Sequence, residues 1–194
     1  MVPDKSHVDF LNSISSLSEA TIEELKSIAK FKTIKEGTHL VKMGDIPKKI
    51  YMLVSGVLRC YLGTESGKEF NKTLYFPMCF VGPLTALIKK EPSLLSFQAI
   101  TECQLYEVNY YDVIELCKTD EALNTMYSKV LEDTFMVFEQ RVIEMISLDA
   151  TKRYLLLKER IPDVDSLVPQ YHIASFLGIT PVQLSRIRKK IETD

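Results

Sequence analysis

Close to the end of the chain, residues 172–191 read HIASFLGITPVQLSRIRKKI, with Arg186, Arg188, Lys189 and Lys190 inside one short stretch. Cations this dense on one segment suit the neutralisation of phosphates. A guanidinium can also donate twice to guanine O6 and N7. Arg186 is therefore a candidate for reading a base or clamping a phosphate, and Arg188, Lys189 and Lys190 are expected on phosphates. Val182 and Pro181 could offer apolar contact to a thymine methyl. Gln183 has two competing uses, reading adenine and capping its own helix.

Such groups work only if a rigid element presents them, and the local sequence supplies one. Ala174 is small where two helices would cross closely, and Gly178, four positions on, permits a left-handed turn. Ile179 would plug the angle. Thr180, Pro181 and Gln183 spell a helix start, with Thr as N-cap, Pro at N1 and Gln at N3 closing a capping box. Leu184, Ile187 and Ile191 share the inward face of the second helix. The pattern is a helix-turn-helix, and its second helix fits the ~12 Å major groove of DNA. The DNA-contacting set is expected to be Gln170, Thr180, Pro181, Val182, Gln183, Ser185, Arg186, Arg188, Lys189 and Lys190. His172, on the first helix, reads as ordinary surface or a phosphate contact. A basic terminal helix can be no more than a solvated face; it is the joint spacing that favours duplex DNA.

Charge is distributed to match. Residues 1–150 hold 16 Lys and Arg against 21 Asp and Glu (net −5), whereas 151–194 hold 8 against 5 (net +3). An acidic body with a basic end expects its polyanion at that end only. Hydrophobic content of 46% and charged content of 26% are ordinary for a folded soluble protein. No apolar run approaches the ~20 residues that cross a bilayer, and MVPDKSHVDF has no signal core, so a cytoplasmic protein without a membrane partner is expected. Cys60, Cys79, Cys103 and Cys117 are scattered singly with no C-x-x-C pair, which argues against zinc or iron–sulfur ligation and for reduced, buried thiols. His7, His39 and His172 fall in unrelated elements, and no nucleophile–base set, phosphate loop or carboxylate pair is present; no enzyme activity and no cofactor are expected.

In front of the basic end, Ser18–Lys30 shows amphipathic helical spacing through Ile22, Leu25 and Ile28. From Phe31 to Val108, short β-rich runs alternate with Gly37, Gly44, Gly56, Gly63, Gly67 and Gly82, as a compact antiparallel barrel or jelly roll requires. Gly56 and Gly67 bracket a hairpin strand. Asp120–Ser147 lacks Gly and Pro and could run ~40 Å as one helix. Leu131, Phe135, Phe138, Val142 and Met145 are spaced 4, 3, 4, 3 along it, a coiled-coil seam. Leu123, Tyr127, Val130 and Val137 populate a neighbouring face. One face would meet the barrel, and the seam would meet its copy in a second subunit. Asp149 can cap a further helix that Pro162 ends, placing the domain joint there. The fold class expected is α+β: a β-roll sensor domain (1–118), a dimerisation helix (119–148) and a winged-helix-like helix-turn-helix domain (149–194).

With its glycine-punctuated roll, KEGTHLVKMGD, LVSGVLRCYL, GKE, the SLDATKRYL joint and LGITPVQLSRIRKK, the chain resembles the Crp/Fnr family of bacterial transcription regulators over nearly its whole length. The resemblance implies a cyclic-nucleotide-binding-like fold, a homodimer, palindromic operator DNA and RNA polymerase as a further partner. Members that bind cyclic AMP carry F-G-E-L and, about ten residues on, P-R-S-A. Here Phe80, Val81, Gly82, Pro83, Leu84 and Thr85 replace the first, and Pro92-Ser93-Leu94-Leu95 the second. Pro83 stands in place of the Glu and brings no N–H; Ser93 or Leu94 stands in place of the phosphate-pairing Arg. Lys89 and Lys90 could compensate only as point charges. Phe80–Thr85, Ser93 and Leu94 thus mark an effector pocket unsuited to cyclic AMP, leaving another small molecule, a protein or no effector at all. The N-terminal cysteine cluster of the family's oxygen sensors is missing, and His39 and Cys79, the positions a haem could use, read as structural. Val182 occupies a position where a Glu reads a G-containing half-site, so a different operator is expected. With three residues after Ile191, wing strands beyond the second helix are expected to be missing. The other class kept open is a ligand-binding regulatory module without DNA binding.

Overall fold

A computed structural model of the chain describes residues 5–193. Two helices open it, α1 (Lys5–Ile14) and α2 (Glu19–Ile28). The second begins where expected: Ser18 is its N-cap, its hydroxyl accepting from the Thr21 N–H at 3.1 Å. The first was not foreseen. Val8, Leu11 and Ile14 recur along one side of α1 and lean on a cluster formed by Leu17, Ile22, Leu123 and Met126.

The β-roll follows as two four-stranded antiparallel sheets. One has the order β1 (Lys30–Ile34), β8 (Cys103–Asn109), β3 (Lys49–Ser55), β6 (Cys79–Val81). The other runs β2 (His39–Val41), β7 (Ser96–Ala99), β4 (Leu58–Gly63), β5 (Glu69–Tyr75). Their inner faces bury Leu53, Leu58, Cys60, Phe97, Cys103 and Leu105. Gly56 makes the β3–β4 turn at φ +86°, and a Cβ there would lie 2.2 Å from the Glu102 carbonyl oxygen. Only glycine fits both constraints. Gly67, at φ +78°, serves the β4–β5 turn, so the two glycines do bracket β4.

A short helix α3 (Leu84–Lys89) interrupts the roll and α4 (Tyr110–Leu116) closes it. Then α5 (Glu121–Ser147) runs 27 residues, about 40 Å. Asp120 caps it, accepting from the Leu123 N–H at 2.9 Å and from the Thr21 hydroxyl. The chain turns at Leu148, whose backbone is extended, and Asp149 caps α6 (Ala150–Arg160) through the Lys152 N–H at 2.8 Å. Next come α7 (Val164–Leu167), α8 (Gln170–Leu177) and α9 (Pro181–Thr193). None of the described helices is long and apolar enough to cross a membrane.

The fold class agrees with expectation, but the joint at Asp149 does not leave the terminal helices hanging from α5. Val57, Leu74 and Ile100 of the roll share one buried cluster with Tyr154, Leu157, Val164, Val168, Ile173, Ala174, Leu177 and Leu184 of the terminal helices. The two halves of the chain have a core in common.

Candidate nucleic-acid interface and effector cleft

The turn between α8 and α9 closes by backbone chemistry. Gly178 takes φ +70°, its N–H reaching the Ser175 carbonyl while the Ile179 N–H reaches the Ala174 carbonyl at 3.0 Å. This is the Schellman pattern. The capping box then starts α9: the Gln183 N–H donates to the Thr180 hydroxyl at 3.2 Å, and the Thr180 N–H donates to Gln183 Oε1 at 2.9 Å. Ala174 and Leu184 are fully buried at the crossing, and Ile179, Ile187 and Ile191 pack against the same cluster.

What α9 leaves outside is Pro181, Val182, Gln183, Ser185, Arg186, Lys189 and Lys190, all exposed. Three candidates have structural employment instead. Arg188 donates to Asp165 and, at 3.2 Å, to the Tyr154 hydroxyl, so it ties α9 to α6 and α7 rather than reaching for a phosphate. Gln170 Nε2 donates to the Pro181 carbonyl at 3.0 Å, fixing the start of α8 to the start of α9. Gln183 is occupied by its own cap.

His172 requires correction. It is not surface: its ring is buried against the roll. Arg59 of β4, itself buried, donates from Nη1 to Glu69 Oε2 at 2.6 Å and to His172 Nδ1 at 3.3 Å, and from Nε to Gln98 Oε1 at 2.9 Å. Asn71 of β5 donates to the His172 carbonyl at 3.0 Å and to Nδ1 at 3.2 Å, while its N–H donates to the Ser175 hydroxyl at 2.9 Å. Burial, aided by the Arg59 charge and opposed by Glu69, pushes the His172 pKa down to about 4. The imidazole is therefore neutral, accepting at Nδ1. This polar seam, which glues α8 to β4 and β5, escaped the sequence reading. Its one legible sign was a lone arginine in the middle of an apolar strand, LRCYL.

On the opposite side, the roll, α1, α3 and α5 enclose a cleft of about 1520 Å³. Phe80, Val81, Gly82, Pro83, Leu84, Thr85, Ser93 and Leu94 all line it. Ser93, however, is buried, and its hydroxyl is used within its own turn, donating to the Leu95 carbonyl at 2.7 Å. It substitutes for no phosphate ligand. Phe10 of α1 lies over Phe80 with ring centroids 5.7 Å apart. Burial pushes the Cys79 thiol up to about 12, and His39 Nε2 sits 2.9 Å from the Tyr61 hydroxyl. No group of three or more metal-ligating side chains occurs among the described residues.

Along α5 the seam divides. Phe135, Val142 and Met145 are exposed, and Met136, Val137, Ile143 and Ile146 join them. Leu131 and Phe138 instead line the cleft, Phe138 with the Lys72 ammonium 3.9 Å above its ring. Farther down, Glu144 is buried; burial resists its ionisation, but bonds from Arg160 and Gln140 outweigh that and hold its pKa below the usual carboxylate value.

Residues 31–120 match the family model described as the cyclic nucleotide-binding domain. A Eubacterium rectale protein described as a Crp/Fnr-family transcriptional regulator superposes with a TM-score of 0.71 at 14% identity, covering 91% of this chain and 84% of that one. The chain has the Crp/Fnr fold. The same fold links it to the c-di-GMP-responsive global regulator CLP of Xanthomonas campestris (TM-score 0.72, 17% identity, 91% and 93% covered). FixK2 of Bradyrhizobium japonicum is alike (TM-score 0.72, 16% identity, 86% and 85% covered). In sequence, the anaerobic regulatory protein of Haemophilus influenzae is 24% identical over 185 residues, covering 89% of this chain and 71% of that protein.

Proposed function

We propose that the protein is a sequence-specific DNA-binding transcription regulator that acts as a homodimer. The observation that carries this reading is α9 itself. Its apolar side is spent on Leu184, Ile187 and Ile191, its start is fixed by the Thr180–Gln183 box, and its outward side offers Val182, Ser185, Arg186, Lys189 and Lys190 to solvent. Set in a major groove, Arg186 has the reach for guanine, Val182 and Pro181 meet thymine methyls, and Lys189 and Lys190 lie toward phosphates. Arg188, half-buried, is held by Asp165 and Tyr154 and ties the helix to α6 and α7.

The exposed stripe Phe135–Val142–Ile146 supports pairing of α5 with its copy about a two-fold axis. Since α8 and α9 share a core with their own roll, each recognition helix moves with its whole subunit. The spacing between the two, about 34 Å on adjacent half-sites, is then set by how the α5 helices pair. Contact with RNA polymerase would follow on bound DNA. Selection of bound sites from random duplexes tests the reading: enrichment of two symmetric half-sites about one helical turn apart is expected, and an unenriched pool or a single asymmetric site would overturn it.

A further inference from the structure

The cleft beside the roll is built for a ligand, and its residues describe one. Its walls are mainly apolar and aromatic, among them Leu62, Tyr75, Phe80, Phe97 and Val130. At 1520 Å³ it exceeds the ~300–1,000 Å³ typical of small-molecule sites. Where the resemblance would put the anchors of a cyclic nucleotide, the chain has Pro83 and either Ser93 or Leu94, and the Ser93 hydroxyl is bound to its own turn.

One cation enters from the sheet. β5 carries a bulge against β4: Cys60 pairs with Thr73 and Tyr61 with Asn71, so Lys72 is the extra residue between them. A bulge re-aims side chains, and here it sends neighbours in different directions. Asn71 turns to His172, while Lys72 crosses to α5 and rests on Phe138. Lys72 is exposed as a residue, and partial desolvation of its ammonium where it meets α5 lowers its pKa. Glu91, Glu132 and Asp133 also line the cleft, yet Lys72 is in none of the ion pairs among the described residues. Among the described residues its partner is the aromatic face of Phe138, with the Cys60 thiol near it.

We infer that the cleft binds an apolar monocarboxylate, its acid group on Lys72 and its hydrocarbon body along the aromatic wall. Lys26, Lys89 and Lys129 line the cleft as well, but Lys72 is the cation set against the aromatic ring of Phe138, and a carboxylate would give it the partner that the protein withholds. A single anionic head with a long apolar body uses both features of the site, whereas a cyclic nucleotide would also need partners for its ribose and phosphate oxygens, which Pro83 and the Ser93 hydroxyl do not offer. The inference concerns the cleft alone and names a ligand class for the regulator proposed above.

Calorimetric titration of the full chain with sodium decanoate, 1-decanol, 4-phenylbutyrate and cyclic AMP decides it. Decanoate is expected to bind at least tenfold more tightly than 1-decanol, and affinity should improve up to about fourfold per methylene from hexanoate to decanoate. Lys72→Met should lose that tenfold preference while leaving decanol binding unchanged, and Lys72→Arg should retain it. Tighter binding of 4-phenylbutyrate than of decanoate would support the carboxylate at Lys72 with an aryl body. Equal binding of decanoate and decanol, cyclic AMP as the tightest ligand, or no heat from any acid would overturn the inference, and these outcomes need no variant to fold. Since no DNA enters the titration, failure to bind any duplex would remove the regulatory reading and leave this one standing.

Discussion

Arg59 and His172 stand 113 positions apart in the chain, yet the Arg59 Nη1 donates to the His172 Nδ1 at 3.3 Å across the boundary between roll and helix-turn-helix. An arginine can share this burial with a histidine only while the histidine is uncharged. The arrangement therefore makes the attachment of the terminal helices sensitive to protons.

That sensitivity has a definite sign. The native His172 pKa is lowered to about 4 from an ordinary 6.5. Between those values the unfolded chain binds the proton and the native chain does not, so stability rises with pH through the window. The contribution of His172 is complete above about pH 6.5 and lost as pH falls toward 4. Urea unfolding at pH 7.5 and pH 5 should show a lower midpoint at pH 5, and His172→Gln should remove part of that difference. An identical pH response in the variant would take His172 out of the linkage.

Asn71 holds the same seam with four contacts, to Arg59, the His172 ring, the His172 carbonyl and the Ser175 hydroxyl. Asn71→Leu keeps the branching of the side chain and strands buried partners, which costs about 1–3 kcal/mol. Chemical denaturation would measure it. A loss below a few tenths of a kcal/mol would mean that water replaces the amide freely.

The basic residues of α9 should separate by assay. Arg186→Ala is expected to cost about 1–3 kcal/mol on the selected operator, and Lys189→Ala to weaken all duplexes alike while reducing the salt slope by about one. Arg188→Ala should act differently, lowering thermal stability through loss of its Asp165 and Tyr154 bonds and leaving the salt slope unchanged. A salt slope that drops with Arg188 would return that residue to the phosphate-contacting set.

Pairing of α5 is testable through the residues that stay exposed. Glutamates at Phe135 and Val142 together should give monomers in sedimentation, because each places a charge in an apolar contact. Phe138→Glu alone should disturb the cleft, since Phe138 faces Lys72. A dimer that survives the double substitution would move the interface elsewhere.

How much of this was legible follows the range of the interactions. Local chemistry was readable: the Thr180–Gln183 box, the Gly178 turn, the Asp149 cap and the Gly56 and Gly67 turns each depend on residues within about five positions. The seam was not, because Arg59, Asn71 and His172 meet only once β4, β5 and α8 are assembled. In the sequence Arg188 is one more cation of a basic helix and so a phosphate contact, but its partner Asp165 lies 23 positions away on another helix. Helix α1 was missed for a related reason, since its apolar side leans on α2 and α5 and buries no residue fully. Ser93 or Leu94 stands, by the resemblance, in place of a phosphate-pairing arginine, whereas the surroundings of Ser93 use its hydroxyl to close a turn.

The shared core has an engineering corollary. Val57, Leu74 and Ile100 belong to the roll but complete the packing around Ile173 and Leu177. Residues 149–194 cut out as a portable reader of DNA would expose that apolar surface to water, and the excised piece should lose helicity or self-associate. Grafting this specificity onto another protein would have to carry the β4–β5 hairpin with it.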